Sequence, residues 1–199
     1  MPKAFLPALE PHRVVVALPS LDTDDLVAVG EVLWQEELRT WSVGRIDDLE
    51  ALTPVFGRRA VIGVHGPTTC DDAAEAAAHG ADFVSAPWAV PGIVTAVGHT
   101  PSILSGLTPT ELVAACALGP AVVQVYPADA IRQPYTSAVL DAINTPLIAT
   151  GRLTPRQALD WLEAGATAVC PTDLVTADLV TGAALDGLRA RCQRWQFGG

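Results

Sequence analysis

Lysine is nearly absent from this chain, whose twelve basic residues include a single lysine, Lys3. A Schiff base with a carbonyl substrate requires a primary amine whose pKa has been lowered by burial, and lysine is the side chain that supplies one. Arginine is no substitute, because its guanidinium group stays protonated. Since Lys3 lies in a short lead-in before the first predicted strand, the sequence argues against catalysis through an amine.

Positive charge is scarce in general, with 12 basic against 22 acidic residues and a formal net charge of −10. A surface of this sign repels the phosphate backbone of nucleic acids, so we expect no nucleic-acid partner. It also gives no long-range attraction for anionic substrates. A site for a carboxylate or a phosphate would therefore need arginines placed locally.

Long apolar runs and paired cysteines are missing as well. No run approaches the roughly 20 apolar residues of a membrane span, and the segment Met1–Leu9 lacks the basic flank and long apolar region of a signal peptide. The four cysteines stand singly, with no Cys-x-x-Cys pair, at Cys70, Cys116, Cys170 and Cys192. We therefore expect a cytoplasmic protein with reduced thiols, no membrane partner, no zinc site and no cofactor.

Hydrophobic residues make up half of the chain, and its 199 residues suit one domain with a substantial core. We expect a single domain over residues 1–199, with residues 1–13 as the lead-in. Short apolar runs alternate with helix-type segments about eight times. The predicted strands are Val14–Leu18, Arg39–Val43, Ala60–Val64, Phe83–Ala86, Ser102–Ser105, Ala121–Val125, Leu147–Ala149 and Ala168–Cys170.

Helix-start signals separate these strands. Thr108 and Thr154 are each followed by proline and, three residues on, by Glu111 or Gln157, the pattern of a capping box with proline in the first turn. The other predicted helices are Asp24–Gln35, Asp47–Leu52, one from Thr69 or Asp71 to His79, Pro91–Val97, Thr136–Ile143 and Ala184–Trp195. Such alternation favours an α/β fold, a parallel (β/α)8 TIM barrel. A doubly wound open sheet is the alternative, but no Gly-x-Gly-x-x-Gly follows the first strand.

The sixth predicted strand leads into Gln124-Val125-Tyr126-Pro127-Ala128-Asp129. This stretch resembles the sixth strand of the 2-keto-3-deoxy-6-phosphogluconate / 4-hydroxy-2-oxoglutarate (KDPG/KHG) aldolases, which reads Lys-Phe-Phe-Pro-Ala-Glu. The segment Ser105–Leu112 resembles the family's Pro-Gly-x-x-Thr-Pro-Thr-Glu, and Phe83–Trp88 resembles its strand ending in Ser-Pro-Gly. Ile62–Gly66 stands where the family has Gly-Ala-Gly-Thr, and Ala149–Leu153 where it has Pro-Thr-Gly-Gly-Ile.

The resemblance implies a class I aldolase-like barrel, a homotrimer and aldolase or lyase activity on a small keto acid. Its departures fall on the residues that carry the family's chemistry. Gln124 stands at the Schiff-base lysine and Ser42 near the catalytic glutamate, while Arg152 replaces a glycine. The phosphate loop after strand eight reads Cys170-Pro171-Thr172-Asp173, in which Pro171 lacks a backbone donor and Asp173 repels phosphate.

Candidate site residues lie at the carboxyl ends of the predicted strands, where barrel enzymes place their sites, and Ser105 and Asp129 are among the polar side chains there. We expect His65, Gln124 and Tyr126 in catalytic roles. We expect a second group to bind substrate: Ser42, Arg45, Trp88, Thr108, Arg152, Thr172 and Asp173.

Several of these residues have a second interpretation. Gln124 either bonds a ligand carbonyl or is an internal amide satisfied by Ser or Thr neighbours. His65 is either an acid/base or a loop histidine bonded to backbone. The two arginines hold a carboxylate or form rim ion pairs with Asp129 or Asp173. Cys170 fits a buried, inert thiol better than a nucleophile, and no spacing supports a metal site.

Two hypotheses of function follow, with a small molecule as the ligand in each. The first is a lyase-type relative that acts on or binds a small keto-acid or carboxylated metabolite without Schiff-base chemistry. The second is a non-catalytic barrel that serves as a binding or assembly module. Ordinary aldolase activity is a third reading, which the lysine count opposes. Polar groups converging on an open mouth favour the enzyme, whereas a mouth filled by Trp88 and Tyr126 favours the module.

Overall fold

The computed structural model describes residues 5–131, 135–176 and 183–197. Eight strands form one sheet in the order β1 to β8, and every adjacent pair is parallel. They are β1 Val16–Ala17, β2 Thr40–Val43, β3 Val61–His65, β4 Val84–Ala86, β5 Ser102–Gly106, β6 Val122–Val125, β7 Leu147–Gly151 and β8 Ala168–Pro171.

The sheet closes on itself beside β1. Val14 forms a parallel bridge with Val169 of β8. The Val15 N–H donates to the Val169 carbonyl at 2.9 Å, and the Val169 N–H donates to the Arg13 carbonyl at 2.9 Å. The predicted (β/α)8 TIM barrel is confirmed, and the open-sheet alternative is wrong.

Helices follow the strands in regular alternation. They are α1 Thr23–Gln35, α2 Ile46–Phe56, α3 Cys70–Ala78, α4 Ile93–Ala96, α5 Pro109–Ala117, α6 Tyr135–Asp141, α7 Pro155–Ala164 and α8 Ala183–Cys192. Short 3-10 turns span Pro7–Leu9, Ala128–Ala130 and Gln193–Trp195. Both predicted capping boxes are present, at Thr108 with Glu111 and at Thr154 with Gln157. Within the described ranges, no helix is long and apolar enough to cross a membrane.

Several predicted boundaries were wrong. Helix α2 runs on to Phe56 instead of ending at Leu52, because Pro54 lies on its exposed side while Leu52 and Phe56 are fully buried. Helix α4 starts only after Gly92, whose φ of 90° is left-handed. The carboxyl ends of β3, β5, β7 and β8 each extend beyond the predicted strand. Strand β1 is shorter than Val14–Leu18.

The lead-in closes the amino-terminal end of the barrel. The ring of Phe5 lies 4.5 Å from the ring of Phe83, centroid to centroid, and Leu9 is buried with them. The Thr40 hydroxyl donates to the Ala8 carbonyl at 3.1 Å, which ties the 3-10 turn to β2. Gly63 makes room for the Phe83 ring, since a Cβ at residue 63 would lie 2.5 Å from it. The amino-terminal end of the barrel is therefore packed with apolar side chains.

Candidate functional site

A pocket of about 370 Å³ opens at the carboxyl-terminal end of the barrel. Its floor is apolar, its walls carry hydroxyl, amide and imidazole groups, and its rim includes Tyr126. Its lining consists of Val15, Ala17, Leu18, Pro19, Ser42, His65, Gly66, Phe83, Ser85, Pro87, Ile103, Gln124, Tyr126, Ile148, Thr150, Cys170 and Thr172. None of these described residues is Asp, Glu, Lys or Arg. The pocket thus presents polar groups without formal charge.

Gln124 is buried in the second half of β6, as predicted, and sits at the centre of a hydrogen-bond network. Its Nε2 donates to the Ser105 hydroxyl at 2.6 Å and to the Ser85 hydroxyl at 3.0 Å. Its Oε1 accepts from the Thr150 hydroxyl at 2.8 Å. These are the Ser and Thr partners that the internal-amide interpretation predicts. The catalytic role of Gln124 stays a prediction.

Ser42 and His65 form a pair on neighbouring strands. Ser42 Oγ lies 2.8 Å from His65 Nδ1, so Ser42 helps to orient the imidazole. Burial lowers the pKa of His65 below its ordinary value of 6.5, while the Ser42 bond and the charge of Asp48 oppose this shift without cancelling it. The ring is therefore neutral at pH 7. A neutral imidazole at a pocket wall has the right protonation state to accept a proton.

Gly44 lies beside the other ring nitrogen of His65. Residue 44 is glycine, and a Cβ there would lie 3.4 Å from His65 Nε2. Behind the pair, the buried carboxylate of Asp48 accepts a hydrogen bond from the Ser20 hydroxyl at 3.0 Å. The carboxylate is thus hydrogen-bonded to a hydroxyl, and His65 is the imidazole that lines the pocket wall.

Cys170 completes the polar wall beside Thr150. Burial raises the pKa of its thiol to about 12, despite hydrogen bonding with the Thr150 side chain and the Ala17 backbone. A thiol with such a pKa carries almost no thiolate at neutral pH. This agrees with the interpretation of Cys170 as a buried, unreactive cysteine.

The structure brings Ser42, His65, Gln124, Tyr126 and Thr172 together in the lining, but it leaves the other five predicted site residues outside. Trp88 is 54% exposed and Tyr126 is 45% exposed, so these side chains do not fill the mouth. Thr108 is engaged in the capping box of α5. Asp173 is half-buried, and its backbone carbonyl accepts from Arg191 at 3.2 Å.

One of the two interpretations of the rim arginines, an ion pair with Asp129 or Asp173, is wrong for Arg45. Arg45 forms its ion pair with Asp47, its close neighbour in sequence, and not with Asp129 or Asp173. Asp129 instead accepts from the backbone N–H of Arg152 at 3.1 Å. A neighbour two residues away is reached at little entropic cost, which favours the local pair. Neither guanidinium belongs to the pocket lining. In the described ranges, no three His, Cys, Asp or Glu side chains form a group suited to a metal ion.

Sequence reasoning missed two residues of the network, Ser85 and Thr150. Both lie two positions after an inward-facing apolar residue, Phe83 and Ile148 respectively. Since side chains on a strand alternate between faces, a residue two positions on points to the same interior. That alternation is the signal that would have identified them.

No family model matches this chain, and no curated protein matches it. Solved structures match its fold. The KDPG aldolase from Legionella pneumophila, with pyruvate captured as a covalent carbinolamine intermediate, is 17% identical over 98% of each chain, with a TM-score of 0.86. The aldolase of Zymomonas mobilis with 3-phosphoglycerate is 16% identical over 100% of this chain and 98% of that one, with a TM-score of 0.85.

A protein of different activity matches the same barrel less closely. The N-acetylmannosamine-6-phosphate 2-epimerase from Clostridium perfringens is 13% identical over 88% of this chain and 92% of that one, with a TM-score of 0.69. At such identities the likeness establishes a shared fold. Fold alone does not determine chemistry, which depends on the residues of the site.

Proposed function

We propose that this chain is a divergent relative of the KDPG/KHG aldolases that binds a small uncharged carbonyl compound and moves a proton next to its carbonyl without Schiff-base chemistry. The resemblance in motifs and the match in fold to aldolase structures support the kinship. The proposal includes one domain over residues 1–199, a homotrimer and a cytoplasmic location, of which the trimer rests on the resemblance.

The observation that carries the proposal is the chemical character of the pocket. Its described lining offers hydroxyls, one amide and one imidazole, and no side chain of Asp, Glu, Lys or Arg. A carboxylate or phosphate that entered would lose hydration without meeting a cationic side chain among the described lining residues, which is costly. The geometry therefore favours a neutral ligand over the keto acid that the resemblance implies. Gln124 supplies no amine, and Lys3 precedes the described residues.

His65 is the group suited to proton transfer. Its pKa is lowered by burial, so it is unprotonated at pH 7, and Ser42 Oγ holds the ring at Nδ1. In the proposed step, the imidazole accepts a proton from the carbon next to the carbonyl, and the electron pair moves onto the carbonyl oxygen. The imidazolium exchanges its proton with solvent and returns one to the same carbon as the carbonyl re-forms, which completes a hydrogen exchange. A positioned base contributes about 10²–10⁴-fold to such a rate.

The saturated bonding of Gln124 favours a second candidate function. The amide uses both N–H groups and its oxygen within the protein, so Gln124 is bound to the barrel whether or not a ligand is present. A barrel stabilised in this way could bind a ligand and leave it unchanged. This candidate is a small-molecule-binding module.

Deuterium exchange separates the two candidates. The protein is incubated in D2O with hydroxyacetone, dihydroxyacetone or pyruvate, and loss of the proton signals next to the carbonyl is followed by NMR. We expect exchange with the two neutral compounds, faster than in buffer and reduced about 10²–10⁴-fold in His65→Gln. His99→Gln alters an exposed histidine and is the matched control.

Borohydride treatment with pyruvate supplies the complementary result. We expect mass spectrometry to find no reduced adduct on the wild-type protein. An adduct within the barrel would refute the proposal in favour of ordinary aldolase chemistry. An adduct on Gln124→Lys alone would show that the pocket admits a keto acid. Binding of the neutral compounds without exchange would favour the non-catalytic module.

A further inference from the structure

The neighbours of Gln124 determine which end of its amide faces which strand. The Ser105 hydroxyl donates its only proton to the Ala86 carbonyl. Its contact with Gln124 at 2.6 Å must therefore be one in which Ser105 accepts. Only the NH2 end of an amide donates, so Nε2 faces Ser105 and Ser85, and Oε1 faces Thr150. If the amide were reversed, Gln124 Oε1 and the Ala86 carbonyl would both face Ser105, whose hydroxyl has one proton to donate.

With the amide oriented, the protons of the network can be followed one by one. The Thr150 hydroxyl donates to Gln124 Oε1, and the Ser105 hydroxyl donates to the Ala86 carbonyl. Ser85 Oγ accepts from Gln124 Nε2. Among the hydrogen bonds of the described residues, none uses the hydroxyl proton of Ser85. Of the three hydroxyls around Gln124, Ser85 alone keeps its donor uncommitted.

This free donor belongs to the pocket. Ser85 lines it and is 7% exposed. In the parallel pairing of β3 and β4, Ser85 stands opposite His65, so both side chains are at the same level of the barrel wall. A buried hydroxyl with a free proton is satisfied by a ligand acceptor. A carbonyl oxygen is such an acceptor, and it carries no charge that the pocket would leave unpaired.

We infer that the Ser85 hydroxyl donates to the carbonyl oxygen of an uncharged ligand, with His65 facing the adjacent carbon. This inference rests on the proposed function and adds the residue that selects the ligand. As the proton leaves carbon for the imidazole, negative charge grows on the carbonyl oxygen, where the Ser85 O–H stabilises it. Gln124 is then a positioning residue, because its Nε2 occupies an acceptor site of Ser85 and leaves the proton of Ser85 for the ligand.

The test compares Ser85→Ala with Ser102→Ala. Ser102 is equally buried, on the next strand, and does not line the pocket, so its replacement is the matched control. We expect Ser85→Ala to lower kcat/KM for deuterium exchange into hydroxyacetone about 10²–10³-fold, the usual effect of removing one donor to a developing oxyanion. We expect Ser102→Ala to keep the wild-type value and Ser85→Thr, which retains the hydroxyl, to restore most of the rate. Thermal unfolding of each variant checks that it folds.

A second readout reports the hydrogen bond without relying on turnover. Hydroxyacetone, dihydroxyacetone and acetone, each labelled with carbon-13 at the carbonyl, are bound to the wild type and to Ser85→Ala. We expect a downfield carbonyl shift on the wild type and on Ser102→Ala that is lost in Ser85→Ala. A downfield carbonyl shift that remains in Ser85→Ala overturns the inference. So does the lack of any such shift on the wild type with all three compounds. A shift without exchange leaves the inference standing and refutes the proposed proton transfer.

Discussion

The two ends of the barrel interior are built from the same strands but differ in chemistry. At the amino-terminal end, Phe5 and Leu9 of the lead-in pack with inward-facing apolar side chains. On four adjacent strands, the next inward-facing residue, two positions after an apolar one, lies at the carboxyl-terminal end and is polar. The pairs are Phe83 and Ser85, Ile103 and Ser105, Val122 and Gln124, and Ile148 and Thr150.

Each of these strands therefore has one part that contributes mainly to stability and another that faces the pocket. The apolar end excludes water and gains from burial, about 25 cal/mol for each Å² of apolar surface. The polar end keeps an open pocket of about 370 Å³ and satisfies its buried groups by hydrogen bonds across strands. We therefore expect substitutions at the first end to act mainly on the free energy of unfolding, and substitutions at the second end to act mainly on the ligand.

The largest effect on stability is expected from Phe83→Ala. The ring is 1% exposed and packs against Phe5, so its removal leaves a cavity beneath the pocket and costs about 3–5 kcal/mol of unfolding free energy. Urea unfolding followed by circular dichroism measures the change. Val113→Ala, at a site 49% exposed, should stay within about 0.5 kcal/mol of the wild type. Equal losses in the two variants would show that the apolar end is not the dominant source of stability.

A smaller loss is expected at the polar end, from Gln124→Leu. This change removes three hydrogen bonds and leaves the Thr150 donor without its acceptor. We expect a loss of about 1–3 kcal/mol in the same unfolding measurement, below that of Phe83→Ala because water in the pocket can reach the freed groups. Gln193→Leu replaces an exposed glutamine and is the control. A loss as large as that of Phe83→Ala would remove the distinction between the two ends.

The smallest effect is a change in the pH dependence of stability. Because burial lowers the pKa of His65 in the folded protein, the unfolded chain binds the proton more readily between pH 6.5 and the lower folded pKa. The stability contribution of His65 is thus complete above pH 6.5 and declines as the pH falls below it. Urea midpoints between pH 7.5 and 5.5 should therefore decline more steeply for the wild type than for His65→Gln. His99→Gln should follow the wild type, and identical slopes in all three proteins would contradict a half-buried His65 that is neutral in the folded protein.

The fold could be predicted from the sequence, because the patterns that indicate its strands and helices are local. Strand and helix alternate, and the two Thr-Pro helix starts at Thr108 and Thr154 form the predicted capping boxes. Some boundaries were wrong where tertiary packing overrode local signals. Helix α2 continues through Pro54 because Leu52 and Phe56 are buried beyond the predicted end.

The candidate site could be predicted from the sequence only in part. The position of Gln124 and the strand-end location of His65 followed from the sequence, whereas Arg45 and Arg152 were expected at the pocket and do not line it. An exposed arginine has several possible partners. Arg45 pairs with Asp47, two residues on, a local partner that is visible in the sequence but was not weighed against Asp129 and Asp173.

The amino-acid sequence by itself determined that the sixth strand carries no lysine for a Schiff base. The chain has one lysine, Lys3, and it precedes the first predicted strand. Only the tertiary structure decided the bonding within the site. Ser85, Ser105, Gln124 and Thr150 lie on four different strands, and Ser85 and Thr150 are 65 positions apart by their numbers. The directions of the hydrogen bonds around Gln124 depend on the Ala86 carbonyl. This carbonyl accepts from Ser105 only when their two strands are paired. Such cross-strand contacts are set by barrel closure and register, which no short stretch of sequence contains.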